Sequence, residues 1–508
     1  LRRPFVKGAR VVTPHKPGTE NPPALPAQSQ PWLSTAATQA VAVAVVYTMA
    51  VVWFAWTRSY FVGDDFSNLW IARTLGFRQG LLVPLGGQIV PLHRAVTFVT
   101  YRVAPMSFAA ALGVLVAFHA IGVAYLYRIL ELVGPGTRVN VVLTALYATH
   151  MLLGLNLTWF TSGMTRFPYI AFSLAAMYHY LVYCDRGKTR SLALVCACYF
   201  GALGFYSKGI LVPLYCVAID FARRTDGARA VRRDPLKWSV LAALIEVGVA
   251  YIPWAKSLAE GSLQRANVDP IFLVAFLGDV WTFFISSLFD RVPKALHDGP
   301  GFIFLALSLA FVAWSIARRR SVLRAWLALA VVISANILMI GASPRTVAYG
   351  RLMAFEFRHY YELSFLTFVF LGIVIRDIAH QGPLMPRIIS GAGARVIPVL
   401  TFVFFAAHAL LAYRGLSMID GGPTSDGQKS RRYMRTLIAD LDQVRARDHG
   451  VPTFIDGAIP RYLDWMDLNF RLHSQLFLLL DFPAQFRPET IAKYHVGEDG
   501  HVVPRDSW

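Results

Sequence analysis

Long apolar stretches decide what this chain can be. They run at roughly 36–56, 107–130, 139–157, 168–184, 190–206, 209–222, 239–255, 300–317, 323–341, 361–376 and 393–412. About 20 helical residues, each rising about 1.5 Å, cross the hydrocarbon core of a bilayer. Eleven such stretches predict an all-α polytopic membrane protein. Only 16% of the residues are charged, against about a quarter in a soluble domain. A soluble enzyme, a disordered chain, a coiled coil and a nucleic-acid-binding module are all excluded, so no nucleic-acid partner is expected despite a net charge of +19.

In a membrane protein that charge is read by its location. Arg2, Arg3, Lys7, Arg10 and Lys16 precede the first stretch, which is too long and too distant from the N-terminus for a cleaved signal and is expected to stay as an anchor. Arg186, Lys188 and Arg190 lie between the fourth and fifth, and Arg223, Arg224, Arg229, Arg232, Arg233 and Lys237 between the sixth and seventh. Arg318, Arg319, Arg320 and Arg324 separate the eighth from the ninth. With eleven crossings all of these fall on the N-terminal side, which is expected to be cytoplasmic in a plasma-membrane protein. The C-terminus is then extracytoplasmic. The stretch 271–290 could itself cross, with Asp279 its only interior charge, but a crossing there would move the Arg318–Arg320 group outside. It is therefore expected to lie along the membrane surface or dip in and out.

The expected domains are a disordered cytoplasmic leader (1–35), a transmembrane domain (36–413) with external loops at 57–106 and 257–299, and an extracytoplasmic C-terminal domain (414–508). The C-terminal segment is soluble in composition. SRRYMRTLIADLDQVRARD has helical periodicity, VPTFIDG reads as a buried strand, and NFRLHSQLFLLL as a helix or strand. A small α/β domain is the simplest fit. The four cysteines fall in or beside apolar segments and make no disulfide framework; Cys196 and Cys198 point about 200° apart on a helix and cannot share a metal.

Candidate chemistry begins at FVGDDFSNLWIARTLGF, just past the first span. Asp before an apolar-periodic run caps a helix and favours its dipole. One aspartate is explained that way; two adjacent ones, which repel, are not. A carboxylate there beside a cation can take a proton from a hydroxyl or hold a divalent metal such as Mg or Mn. His93 and Arg94, in PLGGQIVPLHRAVTF, are placed to fold back over the aspartates, where the imidazole could bind acceptor or metal. Glu246, mid-span in LAALIEVGVAY, is expected to face the bundle interior or a wet cavity with a partner. Trp53, Trp56, Trp159 and Trp254 read as interface belts without chemistry.

The acidic pair after the first span, in a long loop with an amphipathic helix, resembles the GT-C superfamily of integral-membrane glycosyltransferases, in an actinobacterial type. The element that carries the resemblance is GDD at Gly63–Asp65, together with the large external loops and C-terminal domain. The resemblance implies an inverting transfer of a sugar from a polyprenyl-phosphate donor to an envelope glycan, lipid or protein. It puts the catalytic base at Asp64 or Asp65. Some members carry a second acidic residue after the third span; NLTWFTSGMTRFPY has none. Such a donor needs cations for its leaving phosphate. The candidates are Lys208 in FYSKG, Arg345 in GASPRTVAYGR, and Arg358 with His359 in FEFRHYYE; Arg166, in the second external loop, is a further substrate-binding candidate alongside His93. The rival expectation is a transporter or flippase for a lipid-linked glycan, using Glu246 as its coupling site; an envelope scaffold is a third.

Overall fold

A computed structural model of the chain describes residues 31–85, 87–223, 234–258, 269–291, 299–379, 392–420, 425–463 and 470–505. Most of the expected leader, and the arginines at 224, 229, 232 and 233, lie outside the described residues. The helices are α1 (Pro31–Arg58), α2 (Asp64–Thr74), α3 (Phe77–Leu81), α4 (Pro91–Val103), α5 (Phe108–Val133), α6 (Thr137–Ala148), α7 (Met151–Leu157), α8 (Phe160–Arg186), α9 (Thr189–Phe205) and α10 (Val212–Arg223). They continue as α11 (Pro235–Leu258), α12 (Pro270–Leu288), α13 (Gly299–Arg318), α14 (Leu323–Gly341), α15 (Pro344–Tyr349), α16 (Tyr361–Ala379), α17 (Ala392–Asp420), α18 (Asp426–Arg447) and α19 (His473–Leu479).

Every expected apolar stretch is helical. By length and composition α1, α5, α11, α12 and α14 suffice to cross a membrane; α6 and α7 make a sixth crossing if their 47° bend is counted within one span. His150 sits at that break, its Nδ1 accepting from the Leu152 N–H at 3.2 Å in place of a helical carbonyl. Shorter apolar helices occupy Thr189–Phe205, Phe302–Arg318 and Phe402–Met418. The long α8 is buried over most of its length, which lets it carry polar residues.

The basic connections share one end of the bundle. Helix α8 starts against α2, so Asp185 at its far end, paired with Arg223 at 2.9 Å, marks the opposite end. Lys237 pairs with Asp220 at 3.3 Å, and Ser321 donates to Asp377 at the close of α16 at 3.2 Å.

The structure refines one expectation and corrects another. The stretch 271–290, expected within the 257–299 loop and lying along or dipping into the membrane, is a regular helix, α12, long and apolar enough to cross. Asp279 pairs with Arg351 at 2.6 Å, Phe283 packs on Phe355 and Phe284 on Tyr360, all near the bundle end that carries α2. Glu246 does not face the interior. Its side chain is exposed on α11, whose buried line runs instead through Leu241, Leu244 and Gly248. The three- and four-residue helical spacing of those positions fixes which side packs, and Glu246 falls on the other.

The C-terminal segment forms a small α/β unit. Strands β1 (Thr453–Phe454), β2 (Gln485–Phe486), β3 (Tyr494–Val496) and β4 (Val502–Pro504) lie in the order β2-β1-β3-β4, β1 parallel to both neighbours and β3 antiparallel to β4. The unit packs on the first loop. Phe470 stacks on Phe66, Ser430 Oγ donates to the Phe61 carbonyl at 2.7 Å, and Arg73 pairs with Asp481.

Candidate active site

The chain leaves α1 through a turn only glycine tolerates well: Gly63 has φ +54° and ψ −124°, a region hostile to a Cβ. That turn starts α2 with two buried acids, Asp64 and Asp65. Asp65 Oδ2 accepts from the Val62 N–H at 3.0 Å, and Oδ1 from the Thr161 N–H at 2.6 Å. Thr161 lies in the first turn of α8, where N–H groups have no intrahelical partner, and Trp159 at that helix's N-cap offers no side-chain acceptor. Asp65 therefore caps a helix distant in sequence. Asn68, one turn along α2, donates to Thr161 Oγ1 at 2.8 Å. Arg94 holds Asn68 in turn and donates to the carbonyls of Val83 and Pro84 at 3.2 and 2.9 Å. Burial first, and then the neighbouring Asp64 charge, push the Asp65 carboxyl up to about 7 against its hydrogen bonds.

Asp64 is placed differently. Its Oδ1 accepts from the Trp159 indole N–H at 2.8 Å, its one hydrogen bond among the described residues. Burial raises its pKa, while the indole hydrogen bond and the fields of Arg345, Arg94 and Arg358 hold it down. The Arg358 guanidinium lies 4.2 Å from the Trp159 ring centroid, so one face of the indole carries a cation while its edge holds the acid. Arg345, on α15, is exposed. A carboxylate with one oxygen fixed by an indole and arginines around it can remove a proton from a hydroxyl and shelter a developing anion beside it.

Lys208, Arg166 and His359 converge on a carboxylate that the sequence reading missed. Lys208 sits in a 3-10 turn, Ser207–Leu211, and its ammonium reaches Glu362 Oε2. Arg166 Nε lies 3.0 Å from Glu362 Oε1, and its NH2 3.0 Å from His359 Nδ1, which is 3.4 Å from the same carboxylate. Arg166 also donates to Ser162 Oγ at 2.6 Å, and Ser162 to Asn156 Oδ1 at 3.2 Å. Arg166 thus belongs to α8, not to an external loop, and all four charged or titratable groups are buried. Lys208 and Arg166 share one carboxylate, Glu362, which leaves the group with one net positive charge. Burial, then Arg166, lowers His359 to about 4 and keeps it neutral. Because Arg166 donates to Nδ1, the imidazole proton belongs on Nε2. The two groups of residues adjoin: Arg358 and His359 are consecutive, one serving the Asp64 side and the other the Glu362 side.

His93 is fully buried on α4, beside the main chain of Thr161. Burial, and then Arg94, lower it to about 3, so it is neutral. Among the described residues no three His, Cys, Asp or Glu side chains converge to hold a metal ion. Trp159, expected as an interface residue, is buried and holds Asp64; Trp53, Trp56 and Trp254 are exposed. Glu362 did leave a signal, since a carboxylate opening an apolar stretch must be paired or solvated.

No family model matches the chain, and no curated protein matches it in sequence. Among solved structures the chain is similar to ArnT from Cupriavidus metallidurans bound to undecaprenyl phosphate, at 12% identity and a TM-score of 0.47, covering 88% of this chain and 85% of that one. It is also similar to the apo form of the same protein, at 12% identity and a TM-score of 0.36, covering 89% and 86%.

Proposed function

We propose that this protein is a GT-C-type membrane glycosyltransferase that moves a sugar from a polyprenyl-phosphate donor to a hydroxyl of an envelope glycan, lipid or protein. The observation that carries the reading is the buried Asp64 carboxylate, held by Trp159 and lying in the fields of Arg345, Arg94 and Arg358. An acid beside cations at the end of a membrane bundle suits a reaction that deprotonates one oxygen and releases charge on another. In the proposed step Asp64 takes the acceptor hydroxyl proton as that oxygen bonds to the anomeric carbon. The bond from that carbon to the phosphate oxygen breaks on the opposite face, and its electron pair leaves on the lipid phosphate. Arg345 and Arg358 meet that charge.

Lys208, Arg166, His359 and Glu362 act as positioning residues, tying α8, α16 and the Ser207–Leu211 and Phe357–Tyr360 turns into one wall. Asp65 positions α2 on α8. The end of the bundle carrying these groups would face the extracytoplasmic side. A transport reading depends on Glu246 facing the interior, and its exposed placement on α11 does not support that.

The test is transfer by purified protein in lipid nanodiscs, supplied with radiolabelled polyprenyl-phosphate sugars and extracted envelope acceptors. Wild type is expected to transfer label. Asp64→Asn is expected to bind donor and transfer almost none. Equal transfer by the variant overturns the assignment of the base.

A further inference from the structure

A cavity opens where α1 ends, α5 begins and α18 crosses them. It measures about 240 Å³ and is lined by Trp56, Tyr60, Ser107, Arg431, Arg435 and Ile438, among others. The two arginines are one helical turn apart on α18 and so present their charges side by side. Neither forms an ion pair with a carboxylate among the described residues. Arg431 NH1 donates only to main chain, the Trp56 carbonyl and, at 3.2 Å, the Ser59 carbonyl; Arg435 is exposed. Like charges held together at an apolar wall are unfavourable unless an anion joins them. Arg431 feels this, since burial and then Arg435 both lower its pKa.

The surroundings identify the anion's source. Trp53 and Trp56 are exposed at the last turns of α1, with their rings edge to face at 5.3 Å. Exposed tryptophans closing an apolar helix belong at the headgroup level of a bilayer. Tyr60 donates to the Met106 carbonyl at 2.9 Å, and with Phe108 and Ala109 it gives the cavity an apolar floor continuous with the exposed side of α1. A phosphate reaching this cavity from the bilayer meets two guanidiniums and the Ser107 hydroxyl, while its hydrocarbon follows α1.

We infer that this cavity binds the phosphodiester headgroup of an anionic glycerophospholipid, clamped between α18 of the C-terminal unit and the ends of α1 and α5. The lipid then staples the C-terminal unit to the membrane at the edge of the first loop, independently of any sugar transfer.

The test is native mass spectrometry of the full chain in detergent, titrated with phosphatidylglycerol and, separately, with phosphatidylcholine of the same chains. Wild type is expected to retain one phosphatidylglycerol at concentrations where phosphatidylcholine is lost. Arg435→Gln leaves the Arg431 contacts in place and is expected to weaken that retention about tenfold or more, with an unchanged unfolding midpoint in lipid-free detergent. Inorganic phosphate alone is expected to compete poorly. Equal retention of the two lipids, equal retention by wild type and Arg435→Gln, or phosphate binding as tight as phosphatidylglycerol overturns the inference.

Discussion

Asp65 and Thr161, 96 positions apart in sequence, are joined by a 2.6 Å hydrogen bond from the main-chain N–H of one to the carboxylate of the other. That bond explains why two acids stand side by side. Asp65 caps α8, and Asp64 beside it holds the indole of the residue at the N-cap of the same helix. One acid fixes the wall, and the other, in the proposed step, takes the acceptor proton beside it.

Exchanging the acids separates these roles. Asp64→Asn is expected to lower transfer about a hundredfold to ten-thousandfold, the range of a lost general base, with little change in unfolding temperature. Asp65→Ala is expected to cost about 1–2 kcal/mol of stability, as other lost caps do, read as a lower unfolding midpoint.

Trp159→Phe keeps the ring under Arg358 but removes the N–H that fixes Asp64. Transfer is expected to fall about tenfold to a hundredfold with donor binding retained. Initial rates against donor concentration would show the loss in kcat rather than KM.

The pair should be visible in pH dependence. Adjacent acids titrate together, and both are raised, Asp65 to about 7. Transfer is expected to increase as pH rises above the usual carboxylate range, since burial raises Asp64 and the base must be ionised. Stability should move the other way. A carboxyl raised in the folded state contributes stability that is complete below its unfolded pKa, about 4, and is lost as pH rises through about 7. Unfolding midpoints in nanodiscs at about pH 5 and about pH 8 check the sign.

Glu362→Gln leaves Lys208 and Arg166 buried without their counter-charge. The expected cost is about 3–5 kcal/mol, seen as loss of folded protein on size exclusion. Lys208→Met added to Glu362→Gln is expected to restore part of that loss.

Gly63→Ala places a Cβ at φ +54° and is expected to cost on the order of 1–3 kcal/mol and to lower transfer by tilting α2. A chemical denaturation midpoint and a transfer assay on the same preparation check both effects.

The sequence alone determined the helical membrane architecture, the C-terminal unit and the acidic pair, because apolar length, periodicity and local charge are properties of neighbouring residues. It could not assign Trp159, whose indole served equally as an interface ring until α2 came to rest on it. Nor could it pair Lys208 and Arg166 with Glu362, which lies 154 and 196 positions further along the chain, or turn Glu246 outward. Those outcomes belong to the tertiary structure. A buried charge takes whichever opposite charge packing brings within reach, and packing joins helices whose order in the chain says nothing about who will touch.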